Sequence, residues 1–292
     1  MNKIFYGVIA VMALVLVAII STDGAAPLLT STKTEVAVLD SSVTLISNDE
    51  FEAQRSNILF PMTDEDVVGI RTDDYPILKN NKYVAAYREF NGLLYNTINA
   101  HVSPVYPDLY FMPVAASKKS AILVFNKNLT SVKSVETELA MYGSQWAGKG
   151  AVFSMFNGVD AKDTEHWYIN FDSATPKPTQ IFADMKWSAD IPNDVVSNPF
   201  QSNGLVFTCI ESKVVETMMN GPTKQCKKYE IYKADLSTNS ATKVMTLEIG
   251  GSYAVGFYEN TAYLVLGEVS GNLKYNNQLK KSAKVYTISF TQ

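Results

Sequence analysis

AILVF at 121–125, HWYI at 166–169 and YEIY at 229–232 decide how the fold is read. Each is a short run of β-branched and aromatic residues, the composition that suits a pleated, buried strand. Each leads into a turn centred on Asn128, Asp172 or Asp235, and a second, more polar strand follows each turn. From Asn128 to Asp172 the step is 44 residues, the length of one four-stranded propeller blade. The expected fold is therefore all-β: a β-propeller-like repeat domain over residues 34–292 with about five or six blades of about 45 residues each. A pair of β-sandwiches is the alternative, because it also gives short strands separated by turn signals. The chain has no WD dipeptide, kelch glycine series or Asp-box, so no named propeller family is indicated.

The rest of the chain fits that pattern. Segments 83–87 and 93–96 predict a hairpin across Asn91-Gly92, and 151–156 and 166–171 predict another. Segments 253–258 and 262–266 pair across Glu259-Asn260, and 284–290 is a final strand. Residues 132–141 come nearest to a helical period but fit an outer strand as well. Residues 48–80 are irregular, and extra length is assigned to loops at 212–225 and 268–282. Residues 35–47 alternate apolar and small polar side chains, as a strand or bent hairpin. A propeller leaves an open edge that invites aggregation, so 35–46 is expected to pair with 284–290 and cover it.

Residues 4–20 are an unbroken apolar run after Lys3, ended by Ser21, Thr22, Asp23 and Gly24. Such a run lies between a signal-peptide core and a short membrane span, so 1–24 is read as a signal peptide or membrane anchor. Gly24-Ala25-Ala26 suits cleavage while Pro27 opposes it, which leaves both outcomes open. Residues 25–33 read as a flexible stalk. Lys3 favours export of everything that follows, so the expected location is extracytoplasmic, either secreted or membrane-anchored at the cell surface. The two cysteines, Cys209 and Cys226, flank a predicted hairpin and are expected to form a disulfide bond. Closing that loop would contribute about 3 kcal/mol. The sequon Asn128-Leu129-Thr130 sits on a predicted turn.

The composition excludes several functions. A hydrophobic content of 47% with 18% charged residues rules out wholesale disorder. A net charge of −4 without a basic stripe gives no footprint for nucleic acid. Arg55, Arg71 and Arg88 are the only arginines, so later residues lack the planar fork that grips carboxylates and phosphates. A sialidase-like arginine cluster is thereby excluded. Gly148-Lys149-Gly150 lacks the spacing of a phosphate loop.

Four features remain as candidates. Asp64, Asp66, Asp73 and Asp74, with Glu65 among them, could gather oxygens for Ca²⁺, or they form a solvated acidic loop around Arg71. His101 and His166, even with both cysteines, cannot build an ordinary zinc site. Glu165 is adjacent to His166 on a strand and so faces away from it, which argues against an oriented general base. Trp146, Trp167 and Trp187 offer a sugar-stacking surface or, equally, core packing. The basic, aromatic segment 274–281 reads as a hairpin loop. Asp40, Asp73, Asp160, Asp172 and Glu211 are available as paired carboxylates of a glycosidase. No set of these residues defines a reaction. The expected function is that of an exported, non-catalytic binding or scaffold protein contacting protein or glycan, with no cofactor beyond Ca²⁺. The alternative is a secreted carbohydrate hydrolase with carboxylates at a central channel.

Overall fold

A computed structural model describes residues 34–60, 67–71, 97–115, 120–126, 132–137, 140–156, 164–185, 191, 193–217, 221–248, 253–267, 279 and 282–291. The chain divides after Thr32, and the fold below is that of the unit Lys33–Gln292. The expected leader, the stalk and the hairpin at 83–96 lie outside the described residues.

The elements, in chain order, begin with β1 (Glu35–Val38), β2 (Val43–Ile46), the helix α1 (Asn48–Gln54), β3 (Val67–Arg71), β4 (Thr97–Val102) and β5 (Leu109–Ala115). Next come β6 (Ser120–Asn126), β7 (Val132–Thr137), β8 (Ala140–Ala147), β9 (Gly150–Phe156), β10 (Thr164–Asn170) and β11 (Thr179–Ile181). The last seven are β12 (Asp194–Ser197), β13 (Asn203–Thr217), β14 (Gly221–Asp235), β15 (Ser240–Glu248), β16 (Tyr253–Tyr258), β17 (Thr261–Leu266) and β18 (Lys284–Ser289). They form four antiparallel sheets. The first has the order β3-β4-β5-β6-β7, the second β8-β9-β10-β11, the third β12-β13-β14-β15-β1 and the fourth β16-β17-β18-β2. The described residues are all-β apart from α1 and a short 3₁₀ turn. Four sheets are described, against an expectation of five or six blades, and among the described residues they do not close into a barrel or propeller ring.

The three runs that open the sequence argument are β6, β10 and β14, and the more polar strands after them are β7, β11 and β15. Their apolar character follows from burial on both faces. Along β9, Ala151 and Phe153 pack toward the first sheet while Val152 packs toward the third. Along β13, Leu205 and Phe207 join a core with the fourth sheet, and Val206 joins the second. Alternate side chains point to opposite faces, so a strand between two neighbours must be apolar throughout. The cores run in succession: first to second sheet around Phe111 and Trp146, second to third around Tyr168 and Val206, third to fourth around Phe207 and Leu264.

In the fourth sheet the place beside β18 is filled from the far end of the sequence. β2 pairs antiparallel with β18, in the register Val285↔Ile46 through Ile288↔Val43. The expected pairing of 35–46 with 284–290 is present, with one difference. β1 and β2 are not a hairpin: β1 pairs with β15 of the third sheet, Glu35↔Glu248 through Val38↔Met245. One N-terminal segment therefore covers the edges of two adjacent sheets.

Two further expectations are corrected. The irregular stretch after residue 47 contains α1, whose start is a capping box: the Glu50 amide donates to Ser47 Oγ at 3.2 Å and the Ser47 amide to Glu50 Oε2 at 2.8 Å. The helix is two turns long, too short for a periodic signal, and buries Phe51 against Tyr263, Val265 and Val285. The supposed loop at 212–225 is mostly strand, since β13 and β14 stay paired from Asn203↔Asp235 to Thr217↔Gly221.

Val43 anchors the closing strand, being 8% exposed and packed in the core between the third and fourth sheets. Val43→Asp is expected to destabilise the protein by about 3 kcal/mol, because it buries an unpaired carboxylate and strips an apolar contact. Urea unfolding followed by tryptophan fluorescence measures this; a loss below about 1 kcal/mol would mean β2 is not needed for closure.

Candidate functional site

One hairpin turn from each sheet comes to a common place. These are the turns between β4 and β5 (103–108), β8 and β9 (148–149), β12 and β13 (198–202), and β16 and β17 (259–260). Tyr106 donates its hydroxyl to the Phe200 carbonyl at 3.4 Å. Lys149 Nζ lies 5.9 Å from the centroid of the Tyr106 ring and 2.8 Å from Asp172 Oδ2. The Phe200 and Tyr258 rings meet edge-on at 6.1 Å. Tyr106, Phe200 and Tyr258 are each half-buried, while Lys149 and Asp172 stand in solvent. The Asp172 carboxylate holds the Lys149 ammonium above its ordinary pKa, so the cation is fixed at every physiological pH.

Asn198, buried completely, ties these turns together. Its Nδ2 donates to Asn203 Oδ1 at 2.9 Å and to the Glu259 carbonyl at 2.7 Å, and its Oδ1 accepts from the Phe200 amide at 2.9 Å. Its carbonyl accepts from the Gly148 amide at 3.0 Å. Gly148 has φ +57°, and an added Cβ would meet the Gln201 backbone at 3.0 Å, so only glycine fits this approach. Glu259 holds a left-handed φ of 49°, and its carbonyl is the acceptor that Asn198 secures.

A second polar group lies between the second and third sheets. His166 on β10 is 7% exposed. Its Nε2 is 2.9 Å from the Asn193 carbonyl, which can only accept, so this nitrogen carries the hydrogen. Nδ1 then accepts from Ser154 Oγ at 3.3 Å, across the β9–β10 pair. Burial holds the imidazole below its ordinary pKa, and the neutral form is the native one. Next to it, Asp194 reaches solvent on one side and is crowded on the others; burial raises its carboxyl, opposed by His166 and by the Tyr253 hydroxyl, which donates at 3.3 Å. Tyr253 stacks on Phe207 with ring centroids 5.0 Å apart. Ser154, His166 and the Asn193 carbonyl resemble a nucleophile, base and orienting acceptor, but Ser154 sits within a central strand facing the neighbouring sheet. Their geometry ties β9 and β10 to the segment that leads into β12.

The sequence-derived candidates are dispersed. Cys209 and Cys226 are bonded, with Cα atoms 5.7 Å apart. Trp146 is 2% exposed and packs its ring against Phe111 and Phe171. Trp167 is half-buried and donates Nε1 to Glu165 Oε2 at 3.0 Å. That bond puts Glu165 on the face opposite His166, as strand alternation requires. Trp187 and the aspartates Asp64, Asp66, Asp73 and Asp74 lie outside the described residues, as does Asn128. Among the described residues no group of three or more His, Cys, Asp and Glu could hold a metal ion, and no helix is long and apolar enough to cross a membrane. Tyr106, Phe200, Tyr258 and Asn198 were not singled out by sequence. Asn198-Pro199 is a turn signal, but it marks a bend and not the partners the bend brings together.

No protein-family model matches the chain, and no curated protein or solved structure is significantly similar to it.

Asn198→Ala is expected to lower stability by about 3 kcal/mol, since it leaves buried backbone groups without partners. Asn198→Asp keeps the acceptor but loses both donors, and should also destabilise; chemical denaturation of the two variants measures this. His166 gives a pH signature. Its folded pKa lies below the unfolded value of about 6.5, so its contribution is complete above that pH and is lost as pH falls toward the folded value. Wild-type stability should drop as pH falls below about 6.5, and His166→Gln should flatten that slope. Equal slopes in the two proteins would mean His166 does not titrate on unfolding.

Proposed function

We propose that the protein is an exported, non-catalytic binding protein whose sheets are blades of a β-propeller-like body, and whose convergent turn end contacts a protein or glycan ligand. The observation that carries this reading is a chain of contacts across sheets: Lys149 beside the Tyr106 ring, Tyr106 bonded to the Phe200 carbonyl, and the Phe200 ring against Tyr258. Half-exposed aromatic rings give large, rigid contact area at small entropic cost, suiting both sugar faces and apolar side chains of a partner. Loops and turns on a rigid β scaffold are also the usual place for recognition.

The blade reading is supported by the succession of sheets packed face to face, by one hairpin turn from each sheet meeting at one end, and by the edge strand supplied from β2. Export is supported by the apolar run at 4–20 and by the Cys209–Cys226 disulfide, which persists in oxidising compartments. Retention of the apolar run would anchor the protein to the membrane; its removal would release it.

The test is binding of the tagged protein to panels of glycans and extracellular proteins, with Tyr106→Ala and Tyr258→Ala compared with wild type. Each substitution should weaken binding about tenfold or more, the range of an interface aromatic, while thermal unfolding shifts little. Ligands retained by both variants would remove the turn end from the function. Breakdown of a glycan during the assay would favour the hydrolase alternative.

A further inference from the structure

β13 and β14 are both 15 residues long, far longer than their neighbours. β12 accompanies β13 only along Gly204–Phe207, and β15 leaves β14 at the pair Lys228↔Glu248. Beyond those points the two strands continue as a ribbon paired only with each other among the described residues, with Glu211, Ser212, Lys213 and Val214 all exposed. An isolated two-stranded ribbon is marginal in water. This one is clamped at its base by Cys209–Cys226, where the pairing is locally irregular between Cys209 and Ser212 and then resumes in the same register. Each side of the ribbon presents unpaired strand edge.

The β14 edge protects itself: Lys224 and Lys227 repel a like edge, and Pro222 lacks a donor. The β13 edge is different. Ile210 and Val214 are 42% and 65% exposed, among the most exposed large apolar residues described. Glu211 and Lys213 lie between them. Two copies of this edge, placed antiparallel about a two-fold axis at Ser212, bring Glu211 opposite Lys213 and Ile210 opposite Val214, twice each. Shifting the symmetric register by two residues either way puts Lys213 against Lys213 or Glu211 against Glu211, which destabilises the pair. Charge and apolar patterning therefore select one register out of the set.

We propose that the protein forms a two-fold dimer by antiparallel pairing of its β13 ribbon edges, centred on Ser212. The disulfide ties the two strands of the ribbon together at its base, and a C2 junction closes on itself, so pairing stops at two copies. Glu211 already meets Lys227 at 2.7 Å within its own chain, and Lys213 of the second copy adds to that pair across the junction.

The test is sedimentation equilibrium of the full chain in mild detergent, with circular dichroism as a check on folding. Wild type should dimerise. Lys213→Glu, which faces Glu211 of the second copy with a like charge at two symmetric places, should weaken the dimer about tenfold or more. Glu211→Lys combined with Lys213→Glu restores opposite charges and should restore the dimer. Val214→Lys should weaken it without unfolding the protein. A monomeric wild type, or association that ignores both Lys213→Glu and Val214→Lys, would overturn the proposal. So would a double variant no better than the single one. Recovery of the ribbon with another protein bound along β13 in place of a second copy would overturn it as well.

Discussion

Asn198 is buried out of reach of water, so each polar atom of its carboxamide must find a partner inside the protein. The carboxamide finds them in two sheets, Phe200 and Asn203 in the third and Glu259 at the turn of the fourth, while the Asn198 backbone carbonyl accepts from Gly148 at the turn of the second. The cores between sheets are apolar, and apolar contact is non-directional. It favours burial without choosing between nearby offsets of one sheet against the next. Hydrogen bonds from one rigid amide do choose, because a shift of about an ångström breaks them. Alignment of the turn end, and with it the grouping of Tyr106, Phe200 and Tyr258, depends on this residue.

Sheets buried on both faces create a second constraint, at their edges. The strands that follow β6, β10 and β14 in sequence shield those sheets locally. For β18 the shield is β2, more than two hundred residues away in sequence, while β1 on the same short segment covers β15. Such pairing carries a large loop-closure cost before any contact forms. The apolar residues beside it, Val43 and Ile288, are in the core, so docking of β2 is coupled to packing of the third sheet on the fourth.

Much of this was legible in the sequence, for identifiable reasons. The runs at 121–125, 166–169 and 229–232 were read correctly because β-branched and aromatic residues dominate them on both strand faces, with only His166 and Glu230 as polar exceptions, a signal needing no alignment. Cys209–Cys226 was legible from its hairpin. The turn end was not. Tyr106, Phe200 and Tyr258 are far apart in the chain and unremarkable alone; only stacking of sheets, through contacts such as Gly148 to Asn198, makes them neighbours. Helix α1 escaped because two turns give no period, although Ser47-Asn48-Asp49-Glu50 spells its cap. The stretch 212–225 was read as loop because Lys213, Lys224 and Asn220-Gly221-Pro222 look like a solvated turn. Edge strands carry such residues for the same reason loops do: both face water.

The position of the ribbon bears on how the turn end would be used. β13 starts at Asn203, beside Asn198 and the turn cluster, and runs without interruption to Thr217. At about 3.3 Å per residue the ribbon's far end lies roughly 45 Å from that cluster. A junction centred on Ser212 therefore leaves the turn end of each copy clear, and nothing in the proposed pairing covers Tyr106, Phe200 or Tyr258. Two such surfaces on one particle convert a second contact with a repetitive ligand, such as a glycan chain or a surface array, into an intramolecular step. Weak single contacts then suffice for strong attachment, with gains on the order of a hundredfold or more from geometry alone. The three half-exposed rings with one lysine would form a modest site for one copy, and the proposed junction would supply what that site lacks: a fixed neighbour bearing the same site.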